Sequence, residues 1–118
     1  MAEECLFCGI VGGEIPSKKI FEDVKHIAFL DINPRNPGHA LVIPKKHYET
    51  IVDMPADDVA ALFKVVKDVS LKVLNAVKAQ GISITQSNGK VAGQMVPHMH
   101  VHIIPRFLNE GPVSLEGI

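Results

Sequence analysis

The apolar positions of this chain change their period along its length, and the changes divide it into elements. Between His26 and Asp31 the run Ile27-Ala28-Phe29-Leu30 is nearly continuous, and Asn33-Pro34-Arg35-Asn36-Pro37-Gly38 follows it. That combination predicts a buried strand ending in a rigid loop. A second buried strand, His39 to Pro44, is entered from Gly38 and stopped by proline, and it delivers Lys45-Lys46-His47-Tyr48 just beyond its end. From Pro55 the period lengthens: Val59, Leu62, Phe63, Val66, Val69, Val73 and Val77 recur at three and four residues, with Lys64, Lys67, Asp68, Lys72 and Lys78 off the stripe. This predicts one long helix from Ala56 to about Gln80, with Asp57 and Asp58 at the positive end of its dipole and Gly81 as its cap. Its valines are poor helix formers, so packing against a sheet must hold it.

Shorter elements fill the rest. Lys19 to Asp23 reads as a first short strand, and Leu6 to Val11 as a short helical turn closed by Gly12-Gly13, with Ile15-Pro16 starting a loop or an edge strand. Ile82 to Gln86 alternates as a half-buried strand, and Ser87-Asn88-Gly89-Lys90 is turn chemistry. Near the C-terminus Val96-Pro97-His98-Met99-His100-Val101-His102-Ile103-Ile104-Pro105-Arg106 alternates with a period of two. As a strand it places His98, His100 and His102 on one surface and Met99, Val101 and Ile103 on the other. Strands in runs around one long helix imply an α+β domain of two layers, an antiparallel sheet of about five strands with the helix on one face. The histidines then face the other side, or a cleft at the sheet edge. Residues 1–118 form one domain, with 1–13 an N-terminal Cys-x-x-Cys segment and 107–118 an irregular tail.

Composition narrows the function. With 12 basic and 13 acidic residues the net charge is -1, so no global field gathers nucleic acid or a membrane surface, and any phosphate must be bound locally. Met1-Ala2-Glu3-Glu4 is acidic where a signal peptide is basic, and no apolar run approaches the ~20 residues of a membrane span; the expected location is the cytoplasm. Cys5 and Cys8 are too close to close a useful loop, and in a reducing compartment such a pair points to metal or redox chemistry.

Three histidines in register are an unusual way to keep a strand soluble, and titratable clusters mark sites. Alternate strand residues lie about 6.6 to 7 Å apart. Two imidazoles could therefore share a catalytic zinc, or the middle one could be a nucleophile whose neighbours fix its tautomer. Spacing alone leaves both open. His26 has no motif partner and reads as an ordinary surface or boundary residue.

The sequence His98-Met99-His100-Val101-His102-Ile103-Ile104 resembles the signature of the histidine-triad family. Glu14-Ile15-Pro16, Phe29-Leu30-Asp31-Ile32-Asn33-Pro34, Pro37 through His47, and Asn88-Gly89 with Ala92-Gly93-Gln94 resemble segments of the same family in the same order. The resemblance runs from about Cys5 to Arg106 and points to the small, single-domain branch. It implies a hydrolase or transferase that cleaves a nucleotide at its α-phosphate, on a phosphoramidate or a dinucleoside polyphosphate, through a covalent nucleotidyl-histidine. It implies His100 as nucleophile, His102 as the α-phosphate contact and His39 as the residue that orients the nucleophile. Backbone N–H groups near Gly93 and Gln94 would stabilise the oxyanion, and Asp31 would take the ribose hydroxyls. Phe7, Ile10, Ile15, Phe29, Leu30 and Ile32 would form an apolar slot for a purine base, with Ser87 and Met95 nearby. Ser87 stands where the family commonly has Asn or Gln, and Met95 where the phosphoramidase branch has a serine near the leaving group. The Trp-containing tail of that branch is lacking. Arg106 is either a leaving-phosphate contact or a surface charge. The resemblance further implies a structural zinc on Cys5, Cys8, His47 and His98, and a homodimer through the long helix and a strand edge. Two alternatives remain: a nucleotide sensor or adaptor without turnover, and a zinc-dependent hydrolase with the triad as ligands.

Overall fold

A computed structural model describes residues 5–110. Helix α1 spans Leu6–Gly12, followed by strands β1 (Lys19–Glu22), β2 (His26–Leu30) and β3 (Ala40–Pro44), helix α2 (Ala56–Val77), and strands β4 (Gly81–Thr85) and β5 (Val101–Arg106). The five strands form one antiparallel sheet in the order β1-β2-β3-β5-β4. The fold is α+β, as the alternation of periods predicts.

Strand register sorts the side chains onto two faces. Val42 pairs with Ala28 on one side and Val101 on the other, and with Ala40, Met99 and Ile103 these residues pack against Leu62, Val65, Val66, Val69 and Val73 of α2. The opposite row, Phe29, Leu41 and His102, runs across β2, β3 and β5. On that face Phe7 and Ile10 of α1 pack with Ile27, Phe29, Leu41 and Ile43. The alternation seen at the C-terminus therefore does divide apolar from imidazole side chains. Each buried aliphatic side chain contributes roughly 1.5–3 kcal/mol, so the α2 face supplies most of the folding energy and the α1 face frames the histidines.

Three local expectations are corrected. The histidine segment is only partly strand: β5 begins at Val101, and His98, Met99 and His100 lie ahead of it, where the His98 N–H turns back to the Val96 carbonyl at 2.8 Å and the Met99 N–H donates to Tyr48 at 2.7 Å. Pro97 cannot donate to a ladder, which explains the late start. Helix α2 ends at Val77, not Gln80; Lys78 takes the left-handed cap position at φ 56°, and Gly81 opens β4 instead. Phe63 stands 36% exposed while Val65 and Ser70 are buried, so the packed stripe is rotated from the one drawn on apolar spacing alone. Of the tail, Leu108–Glu110 forms a 3-10 turn, and residues 111–118 lie outside the described residues. Among the described residues no helix is long and apolar enough to cross a membrane.

Candidate active site

Two sites meet at the residues leading into β5. The first is a cleft of about 380 Å³ between α1 and the sheet face opposite α2. It brings together Phe7, Ile10, Ile15, Phe29, Leu30, Asp31, Ile32, Gly93, Met95, His100 and His102. Leu6, Pro16, Ser17, Asn33, Leu41 and Val96 complete the lining and were not singled out from the sequence. For Leu41 the signal was available, because a strand buried on both faces must show alternate residues to any cleft on one of them.

Ser87 and Gln94 are not in the lining. Gln94 is buried and acts as a strut: its Oε1 accepts from the Gly89 N–H at 2.7 Å and its Nε2 donates to Glu49 at 2.6 Å and Val96 at 3.0 Å. The backbone donors expected here are also engaged, the Gly93 N–H with Lys90 at 3.0 Å and the Gln94 N–H with Gly89 at 3.1 Å. Those two amides close the turn and are not free donors to the cleft. Glycine at 93 is required by its φ of 98°.

The imidazole hydrogen bonds fix a chain of tautomers, because a carbonyl oxygen and a backbone N–H each have one role. His100 Nδ1 donates to the His98 carbonyl at 2.7 Å, which leaves the lone pair of the neutral ring on Nε2. His39 Nδ1 accepts from the Arg35 N–H at 3.1 Å, so its proton is on Nε2. That proton is donated to His102 Nδ1 at 3.0 Å, with an Asp31 carboxylate oxygen 3.5 Å away. His102 then carries its own proton on Nε2. One ring offers a lone pair and the next offers a donor. Burial keeps the rings neutral: it lowers His39 and His100 below the usual histidine range and takes His102 down to about 4.

The second site is the cluster Cys5, Cys8, His47 and His98, whose ligand atoms all lie within 4.8 Å of one another. Cys5 Sγ is 3.3 Å from His98 Nδ1, Cys8 Sγ is 3.2 Å from His47 Nδ1 and 3.5 Å from His98 Nδ1, and the two Nδ1 atoms are 3.2 Å apart. Tetrahedral zinc, with bonds of about 2.0–2.1 Å to nitrogen and 2.3 Å to sulfur, has edges of roughly 3.3–3.8 Å. His98 Nε2 donates to the Pro44 carbonyl at 2.8 Å, so its free lone pair is the one facing the cluster. Burial and the neighbouring Cys5 push the Cys8 thiol up to about 11, and no lysine or arginine is in the set to offset two thiolates. The donor set fits a cation.

His98 and His100 do not converge on a common point, one facing the cysteines and the other its own carbonyl partner. Asp31, His39 and His102 also lie within 4.8 Å, but both His39 nitrogens are committed in the hydrogen-bond chain. His26 is buried rather than at the boundary, and its Nδ1 lies 3.0 Å from Asp23. Arg106, at the far end of β5 from the cleft, pairs with Glu110 at 2.7 Å.

Known proteins resemble this chain over most of its length. Residues 12–109 match the HIT domain. An uncharacterized HIT-like protein of Methanocaldococcus jannaschii is 51% identical over 96% of this chain and 87% of its own length. Adenosine 5'-monophosphoramidase hnt1 of Schizosaccharomyces pombe is 42% identical over 86% of this chain and 74% of its own. The crystal structure of a Zn-bound histidine triad family protein from Mycobacterium smegmatis superposes with a TM-score of 0.89 at 36% identity, over 98% of this chain and 83% of that one. The HIT-domain match over residues 12–109, together with relatives and solved structures that share the sequence and the sheet, makes this chain a member of the histidine-triad (HIT) family.

Proposed function

We propose that this protein hydrolyses a nucleotide at its α-phosphate through a covalent intermediate on His100. The observation that carries the reading is the tautomer chain, which leaves an unprotonated Nε2 on His100 beside a protonated ring nitrogen on His102. His100 Nε2 attacks the α-phosphorus, the bond to the leaving group breaks, and that group departs with the electron pair and takes up a proton from solvent. The His98 carbonyl steadies the positive charge on the substituted imidazole. Water then attacks the same phosphorus and loses a proton to solvent, the P–N bond breaks with its electron pair returning to His100 Nε2, and the nucleoside monophosphate leaves. His102 Nε2–H donates to a non-bridging oxygen, and His39 holds that donor in place. Such preorganised donation is commonly worth about 10²–10³ in rate.

Phe7, Ile10, Ile15 and Phe29 supply an apolar slot suited to a purine base, and Asp31, at the end of β2, suits the ribose hydroxyls. Met95 offers no donor to the leaving group, whether that is an amine or the remainder of a dinucleoside polyphosphate. Cys5, Cys8, His47 and His98 would hold a zinc ion, which would pin the N-terminal segment to the stretch ahead of β5 that carries His100. The same reading carries a cytoplasmic homodimer, with Leu71 on α2 and Ile84 on edge strand β4 as exposed apolar side chains for the interface.

The test is His100→Asn assayed against a panel of both substrate kinds. Turnover is lost while affinity for AMP stays within about tenfold, ~1.4 kcal/mol. Retained turnover refutes the reading; saturable binding without turnover in the unsubstituted protein favours a sensor. Immediate loss of chemistry on chelation, with the fold intact, favours metal-dependent hydrolysis.

A further inference from the structure

Helix α1 is seven residues long, whereas isolated helices in water are marginal below ~12–15 residues. Its N-cap is Cys5, whose sulfur accepts from the Cys8 N–H at 3.4 Å. The two thiols of the cluster therefore also build the first turn of the helix. Phe7 stands between them in sequence and is buried. Its ring centroid is 5.9 Å from that of His98 and 5.0 Å from that of His100, with interplanar angles of 73° and 85°. It also meets Phe29 edge-on at 5.6 Å. One aromatic ring thus touches a member of the metal cluster, the reacting imidazole and a wall of the cleft.

The orientation of His100 has two visible restraints on this side. The His98 carbonyl fixes Nδ1, and Phe7 limits rotation of the ring about its Cβ–Cγ bond, since edge-to-face packing is directional. Both restraints come from residues tied to the cluster, His98 as one of its members and Phe7 as one of the two residues between its cysteines.

We propose that Phe7 is a positioning residue that transmits metal loading of the Cys5, Cys8, His47 and His98 cluster to His100. A cation that draws the four donors together fixes the first turn of α1, and with it the ring that holds the nucleophile. Without the cation, α1 is held by its few apolar contacts and the His100 ring gains a second orientation. This inference rests on the readings of the cluster as a metal site and of His100 as the nucleophile, but its test needs no turnover.

The test is a four-way comparison of the full chain, zinc-loaded and zinc-free, with Phe7 and with Phe7→Leu. Each form is measured for AMP dissociation constant, zinc content, circular dichroism and the imidazole 15N shifts of His100, which distinguish Nδ1–H from Nε2–H rings. In the unsubstituted protein, zinc removal weakens AMP by at least about fivefold, the lower end of ordinary site-to-site coupling, and turns a single Nδ1–H signal into a mixture. Phe7→Leu gives that mixture with zinc fully bound, and further zinc removal weakens AMP less than about twofold, because the coupling has gone. Phe7→Met, whose unbranched flexible side chain fills an irregular space, stands in if the leucine variant does not fold. The proposal is overturned if zinc-loaded Phe7→Leu keeps the single tautomer, if zinc removal acts equally in both backgrounds, or if the protein takes up no zinc. Loss of the nucleotidyl intermediate with these couplings intact counts against the proposed reaction alone.

Discussion

His39 separates the two jobs of a buried imidazole, and a pair of substitutions takes them apart. Its Nδ1 accepts from the Arg35 N–H at 3.1 Å and its Nε2 donates to His102 at 3.0 Å. An asparagine amide places its polar atoms near the Nδ1 position, and a glutamine amide near the Nε2 position. His39→Asn therefore keeps an acceptor for Arg35 and removes the donor to His102. His39→Gln keeps the donor and strands the Arg35 N–H. A hydrogen bond between neutral groups contributes about 0.5–1.5 kcal/mol net. Losing the one to His102 lets that ring move its proton from Nε2 to Nδ1, so kcat falls by roughly tenfold, ~1.4 kcal/mol, with a smaller change in KM. Arg35 is exposed, so water replaces part of what His39→Gln removes. That variant loses about 1 kcal/mol of stability, roughly 4 °C in Tm for a domain of this size, with kcat within about threefold of the starting protein. The assay pairs steady-state kinetics on an AMP-releasing substrate with thermal unfolding. Equal kcat in the two variants, or a His39→Asn enzyme as fast as the unsubstituted one, refutes the tautomer argument.

Acid should unfold the protein through its neutral imidazoles. Burial takes His98 and His102 down to about 4, from a usual value near 6.5. Between those values the unfolded chain binds protons that the folded one does not. The stabilisation is complete above about pH 6.5 and lost as pH falls toward 4, a few kcal/mol in all once the partly exposed His102 is discounted. Unfolding by urea across that range shows a falling midpoint; a flat profile contradicts the burial argument. At the end of α2, Lys78→Gly relieves a side chain held at φ 56° and raises stability by about 0.5–1 kcal/mol, read as an upward shift in the denaturant midpoint with an unchanged slope.

The elements legible from sequence are those whose period is enforced by burial on a defined face. Strands β2 and β3 and most of α2 follow from Ile27 to Leu30, Ala40 to Ile43 and the valine stripe, because a slip of one residue would expose a core row. Ends are less legible. Nothing local separates Gly81, which looks like a cap, from Lys78, which is one; the choice falls where β4 must pair Gly81 with Arg106. Met99, Val101 and Ile103 alternate as one strand does, and only the contact of Met99 with Tyr48 shows that the ladder starts later. At the site, spacing brings forward His98, His100 and His102 but cannot say which nitrogen of each carries a proton. That depends on Pro44, Arg35 and the His98 carbonyl, backbone groups with no sequence signature. His47 lies 39 residues from Cys8, and their meeting is a product of the sheet order.

The central claim is that one imidazole, His100, carries the nucleotidyl group between the two halves of the reaction. Rapid mixing with an adenosine phosphoramidate, a denaturing quench under conditions that preserve P–N bonds, and peptide mapping by mass spectrometry test it directly. The account predicts an adenylyl group on His100 alone, formed and consumed at rates compatible with turnover and absent in His100→Asn. An adenylyl group on His98 or His102, or turnover with no protein-bound adenylate at any time point, contradicts it.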